Sequence, residues 1–169
     1  MSNQTSAGVM AGKRGLVMGV ANERSIAWGI AAKLAEQGAD LAFTFQGEAL
    51  QKRVVPLADS VGSNLVLPCD VTDEASVDAV FDRLKSEWGT LDFVLHAIAY
   101  SDKEELKGGY VETSRDNFRR TMDISVYSFT EITRKAVEIM NDGGSLLTLT
   151  YYLSLIHISE PTRPLYTSY

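Results

Sequence analysis

Residues 15–29 read GLVMGVANERSIAWG, and this stretch decides the architecture. Gly15 to Val20 is a short apolar run punctuated by glycines, the pattern of a buried strand entering a tight turn. Beyond the turn, Ile26, Ile30 and Leu34 recur at helical spacing with alanines between them. Ser25 suits an N-cap and Gly38 a C-cap, so a helix is predicted over 25–38. Strand, turn and helix in that order make one βα unit.

The unit repeats downstream. Leu41 to Phe45 is a second apolar run, Glu48 to Ser60 a second helix interrupted by Pro56, and Leu65 to Leu67 a third strand leading into Pro68-Cys69-Asp70-Val71. A third helix starts at Thr72-Asp73-Glu74 with acids in its first turn, carries Val77, Val80, Phe81 and Leu84 on one face, and stops at Gly89. Leu91 to Leu95 follows as a fourth strand, with His96 at its end. Ser101 to Thr113 reads as a polar loop, and Arg115 to Asn141 as one long helical stretch capped by Asp142-Gly143-Gly144. Ser145 to Thr150 is the fifth strand. This alternation predicts an α/β fold, a doubly wound parallel sheet with right-handed crossovers and helices on both faces. In such sheets ligands lie beyond the carboxyl ends of the strands, where the strand order reverses. The candidate positions are therefore Gly19 to Ser25, Gln46, Asp70-Val71, Ala97 to Tyr100 and Thr150-Tyr151.

Composition narrows the function. The chain has 169 residues, 45% hydrophobic and 22% charged, enough for one domain with a real core and inconsistent with disorder. Sixteen basic against 22 acidic side chains give a net charge of −6. Basic residues never run longer than a pair, which argues against a nucleic-acid partner. No apolar run approaches the roughly 20 residues of a bilayer helix, and Met1 to Gly15 lacks a signal-peptide pattern, so no membrane partner and a cytoplasmic address are expected. A lone cysteine, Cys69, with two scattered histidines, His96 and His157, offers neither an internal disulfide nor metal-ligand spacing.

The polar residues at the strand ends suit a dinucleotide. Gly19 permits close backbone approach, and the N–H groups of Ser25 and Ile26 open a helix N-terminus that can face a pyrophosphate. The spacing departs from GxGxxG, and any first βα turn favours glycine. Gln46 stands where such sites carry an acid for the ribose 2′-hydroxyl, and its amide can bond that group. No arginine immediately follows it, which favours NADH over NADPH, with Arg53 keeping NADPH open. Asp70 can accept from the adenine amino group while Val71 packs on the ring, though a helix-start acid accounts for Asp70 equally well. His96 reads as a satisfied, partly buried side chain rather than a base. Tyr151, followed by Tyr152, puts a phenol near a nicotinamide, where it can stabilise a developing enolate or alkoxide. Strand-end tyrosines are also common packing residues.

Several segments carry a resemblance: GKRGLVMGVANERSIAWGIA at 12–31, LAFTFQ at 41–46, CDV at 69–71, LDFVLHAIAYS at 91–101, DIS at 123–125 followed by YSF, and GGSLLTLTYY at 143–152. In this order the chain from Gly12 to Tyr152 resembles the bacterial NADH-dependent enoyl-[acyl-carrier-protein] reductases, divergent short-chain dehydrogenase/reductases. The resemblance implies a Rossmann-like fold and hydride transfer from NADH to the β-carbon of a trans-2-enoyl thioester on acyl carrier protein, in type II fatty-acid synthesis. It implies cofactor contacts at Gly19, Ser25, Ile26, Gln46, Asp70, Val71 and Ile98, a catalytic tyrosine at Tyr151, a substrate-side position at Ser101, and a homotetramer. Ala99 stands where many relatives have glycine, beside the substrate pocket.

The pattern stops after Tyr152. The second active-site tyrosine and the ribose-binding lysine of the family do not follow, and Leu153 to Tyr169 contains no lysine. Leu153 to Arg163 resembles a translated sequencing adapter. The expectation is a dinucleotide-binding domain over 1–152, truncated after about the fifth strand, then an unrelated tail over 153–169, with little or no turnover by these residues alone. Two other readings stay open: another short-chain dehydrogenase acting on a carbonyl, and a non-catalytic dinucleotide-binding fragment.

Overall fold

A computed structural model describes residues 8–107 and 109–150. The elements run β1 (Arg14–Met18), α1 (Ile26–Glu36), β2 (Asp40–Phe45), α2 (Gly47–Ser60), β3 (Leu65–Pro68), α3 (Glu74–Trp88), β4 (Leu91–His96), a 3₁₀ turn (Tyr110–Glu112), α4 (Arg115–Met122), α5 (Ser128–Val137) and β5 (Met140–Thr148). The five strands form one sheet in the order β3-β2-β1-β4-β5, and every pairing is parallel. The order therefore reverses between β1 and β4.

Strand alternation sends side chains to two separate cores. Leu16, Met18, Ala42 and Val94 pack on one face against Val77, Val80 and Leu84 of α3 and Ile132 and Ala136 of α5. Val17, Leu41, Phe43 and Leu95 pack on the other against Ala27 and Ala31 of α1 and Val54 and Ala58 of α2. Both faces of the central strands are covered, so those strands are predominantly apolar, as buried parallel strands are. Each fully buried Leu, Val or Phe contributes roughly 1.5–3 kcal/mol from leaving water. The predicted doubly wound sheet is the observed one.

Three predicted details change. Pro56 does not interrupt the second helix: α2 is continuous, and burial of Val54 and Ala58 on either side of the proline offsets the lost amide donor. The stretch 115–141 is helical without a break only to Val137, and a π-helical turn over Asp123–Tyr127 lies between its α-helical parts, α4 and α5. The fifth strand begins earlier than predicted, because Met140 already pairs with Leu91. Phe93 pairs with Ser145, so the segment 141–144 bulges out of register, with Gly143 at φ +78°. The helix-breaking glycines sit in a strand bulge rather than at a helix end. Ser25 and Gly38 do flank α1, Gly38 with φ +93° just past the terminal Gln37. Tyr151, Tyr152 and the tail over 153–169 lie outside the described residues.

Candidate functional site

Gly19 follows β1 directly, and two constraints require glycine there. Its φ is +95°, and a Cβ would stand 2.1 Å from the carbonyl oxygen of Ala97, the first residue beyond β4. The Ala97 N–H in turn donates to Met18 O at 3.0 Å. The ends of the two strands that flank the reversal thus touch backbone to backbone.

Around this contact opens a cleft of about 280 Å³. Gly19, Gln46, Asp70, Val71 and Ile98 all line it, gathered from the ends of β1, β2, β3 and β4. Parallel strands place these ends on one side of the molecule, which is why residues far apart in sequence converge. Ser25 and Ile26 do not reach the cleft wall. The Ser25 hydroxyl accepts from the N–H groups of Ala21 and Asn22, both at 3.0 Å, so it shapes the turn after β1. Ile26, which begins α1, is largely exposed. Ser101 also stands outside the wall: its Oγ accepts from Asn117 Nδ2 at 3.2 Å and Thr121 Oγ1 at 3.3 Å, which fixes it to α4.

The polar end of the cleft is a connected pair. Gln46 Nε2 donates to Asp70 Oδ2 at 2.9 Å. Asp70 Oδ1 accepts from the Thr72 N–H at 2.9 Å and from Thr72 Oγ1 at 2.7 Å. The Thr72 bonds, backbone first, hold the Asp70 carboxyl below the usual carboxylate range, so it is ionised at neutral pH. Helix α3 has its own capping acid, Asp73, whose side chain accepts from the Ala75 N–H at 3.1 Å. Asp73 thus caps α3, and Asp70 lines the cleft.

The remaining wall is apolar, from Leu50, Val71, Ile98 and Ile124. Ile124 lies in the π-helical turn, and the single-helix reading of this stretch had no reason to single it out. The turn is held to the strand end by Ser125, whose Oγ accepts from the Tyr100 N–H at 3.0 Å and donates to Tyr100 O at 3.2 Å. Cys69 lines the cleft as well, but burial, with the charges of Asp70 and Glu131 adding, pushes its thiol up to about 12. It is a protonated packing group and not a nucleophile. His96 is buried and held below its ordinary value by desolvation, so it is neutral. Among the described residues no cluster of His, Cys, Asp and Glu could hold a metal ion, and no helix is long and apolar enough to cross a membrane.

The donor set fits the adenosine half of a dinucleotide. A flat apolar ring has Val71 and Ile98 to pack on, a ribose hydroxyl has the Gln46 amide, and the backbone at Gly19 is bare of side chain where a pyrophosphate would approach. A profile described as enoyl-(acyl carrier protein) reductase matches residues 19–167. The chain belongs to that family. Enoyl-[acyl-carrier-protein] reductase [NADH] 1 of Rhizobium meliloti (strain 1021) is 64% identical over 147 residues, covering 87% of this chain and 54% of the relative. This member of the enoyl reductase family thus spans about half the length of the curated relatives it matches. A crystal structure of the enoyl-(acyl-carrier-protein) reductase of Anaplasma phagocytophilum in complex with NAD superposes with a TM-score of 0.83 at 55% identity, covering 87% of this chain and 56% of that one. The Bacillus cereus enoyl reductase, solved with NADP+ and an indole naphthyridinone, gives a TM-score of 0.83 at 48% identity, covering 86% and 57%.

Proposed function

We propose that these residues form the cofactor-binding part of an NADH-dependent enoyl-[acyl-carrier-protein] reductase, which reduces the trans-2 double bond of an enoyl thioester in type II fatty-acid synthesis. The observation that carries this reading is the convergence of Gly19, Gln46, Asp70, Val71 and Ile98 on one cleft at the strand-order reversal. When bound, the nicotinamide supplies a hydride to the β-carbon of the substrate.

The chain's own residues then have distinct tasks. Gly19 leaves the backbone open to the pyrophosphate, beside the helix N-terminus at Ser25 and Ile26. Gln46 bonds the ribose, Asp70 the adenine amino group, and Val71 and Ile98 sandwich apolar surface. Tyr151 donates to the oxygen of the enolate formed as hydride arrives, and Ser101 lies on the substrate side. The acyl chain arrives on acyl carrier protein, in the cytoplasm, and the assembled enzyme is a homotetramer; family resemblance supports these three readings. Loss of one such oxyanion donor typically costs about 10²- to 10³-fold in kcat. The family's second tyrosine and lysine are not among these 169 residues, which favours cofactor binding with little turnover by this chain.

The test is a titration of the purified chain with NADH, followed by nicotinamide fluorescence, then addition of an enoyl thioester with absorbance followed. Saturable NADH binding with slow or no oxidation supports the reading. A folded chain that ignores NADH overturns it. Oxidation driven by a carbonyl substrate and not by the enoyl thioester would assign the chain to carbonyl reduction instead.

A further inference from the structure

The Gln46–Asp70 pair sets which end of the glutamine amide meets a ligand. Asp70 is acceptor-only when ionised, so it can bond only the NH₂ end of Gln46, and Nε2 is the atom found 2.9 Å from Oδ2. That leaves the carbonyl end, Oε1, without a donor among the described residues and able only to accept. Asp70 cannot turn away to release the amide, because Thr72 holds its other oxygen through two bonds.

We propose that Asp70, acting through Gln46, makes this cleft select a dinucleotide with a free ribose 2′-hydroxyl over one with a 2′-phosphate. A hydroxyl donates to Gln46 Oε1. A phosphate has acceptor oxygens only, and it would meet a carbonyl oxygen with a carboxylate immediately behind it. No cation among the described residues lines this cleft to offset that repulsion. Arg24, Lys52 and Arg53 line a separate, shallow groove over α2. One solved relative holds NAD and another NADP+. The inference rests on the dinucleotide reading above and adds the residue pair that decides between the two forms.

Asp70→Asn tests it. Asparagine keeps an oxygen for Thr72 but presents an NH₂ that can bond Gln46 Oε1, so the glutamine amide is free to turn its own NH₂ toward the ligand. Dissociation constants for NADH and NADPH would be measured by fluorescence on the full chain, on D70N, on Q46A and on the double variant, with circular dichroism confirming each fold. The expected result is that D70N lowers the NADPH-to-NADH ratio of dissociation constants by about tenfold. In the Q46A background the same change should move the ratio less than about twofold, because Asp70 has lost the group it orients. An unmoved ratio in D70N, an equal loss for both cofactors, or an equal shift with and without Gln46 overturns the inference. Failure of the folded wild-type chain to bind either cofactor overturns the functional reading beneath it instead.

Discussion

His96 Nε2 lies 2.8 Å from Ser128 Oγ, and a third group fixes the direction of that bond. The Ser128 hydroxyl donates its only proton to Ile124 O at 2.6 Å, so it must accept from His96 Nε2–H. Nδ1 is then the unprotonated nitrogen, facing Thr148 Oγ1 at 3.4 Å. One buried imidazole thus joins β4, β5 and the π-helical turn that brings Ile124 to the cleft. Ser128→Ala should leave Nε2–H without a partner and destabilise the fold by about 1–3 kcal/mol, measured by urea denaturation.

The same histidine gives a pH dependence near neutrality. Burial lowers its folded-state value below the unfolded 6.5, so the unfolded chain binds more protons in that interval. Stability should be complete above 6.5 and decline as pH falls from there toward the folded value. Denaturation midpoints measured across this range should slope in the wild type and flatten in His96→Gln.

At the opposite end of the sheet, Asp92 gathers the Arg14 N–H at 2.9 Å, Lys13 Nζ at 2.9 Å and Asn141 Nδ2 at 3.2 Å. Burial alone would raise this carboxyl, but the three donors outweigh it and hold it below its ordinary 3.8. Because the folded value is the lower one, the stabilisation is present above 3.8 and is lost as pH falls through the folded value. Asp92→Asn should reduce stability at neutral pH and shrink the further loss on acidification, as read from thermal unfolding at several pH values.

Gly19→Ala addresses the contact between β1 and β4. With φ at +95° and Ala97 O only 2.1 Å from the new Cβ, backbone must move. A loss of roughly 2 kcal/mol or more is expected, together with weaker NADH binding. Restoration of affinity at low temperature without any change in stability would argue against this steric account.

Cys69 should resist alkylation in the folded chain, since burial and neighbouring acids keep its thiol protonated. Modification by iodoacetamide at mildly alkaline pH should track unfolding by denaturant, with the native protein essentially unlabelled. Rapid labelling of folded protein would contradict the buried, neutral thiol.

Residues 15–29 and the βα units after them determined the fold class by themselves, because hydrophobic periodicity and glycine placement report secondary structure directly. The positions Gly19, Gln46, Asp70, Val71 and Ile98 were legible for a related reason: a parallel sheet must bring strand ends together, so strand ends are where to look. Other features needed the tertiary structure. Pro56 stays helical because Val54 and Ala58 are buried, and the helix over 115–137 takes a π-helical turn where Ser125 bonds the backbone of Tyr100. Ser25 turned inward to the loop after β1, and Ser101 toward α4. Each depends on a hydrogen-bond partner or a packed neighbour distant in sequence or hidden within a turn. The orientation of Gln46 is the clearest case: a sequence names the amide, but only the carboxylate of Asp70, 24 residues away, decides which of its two ends faces the cleft.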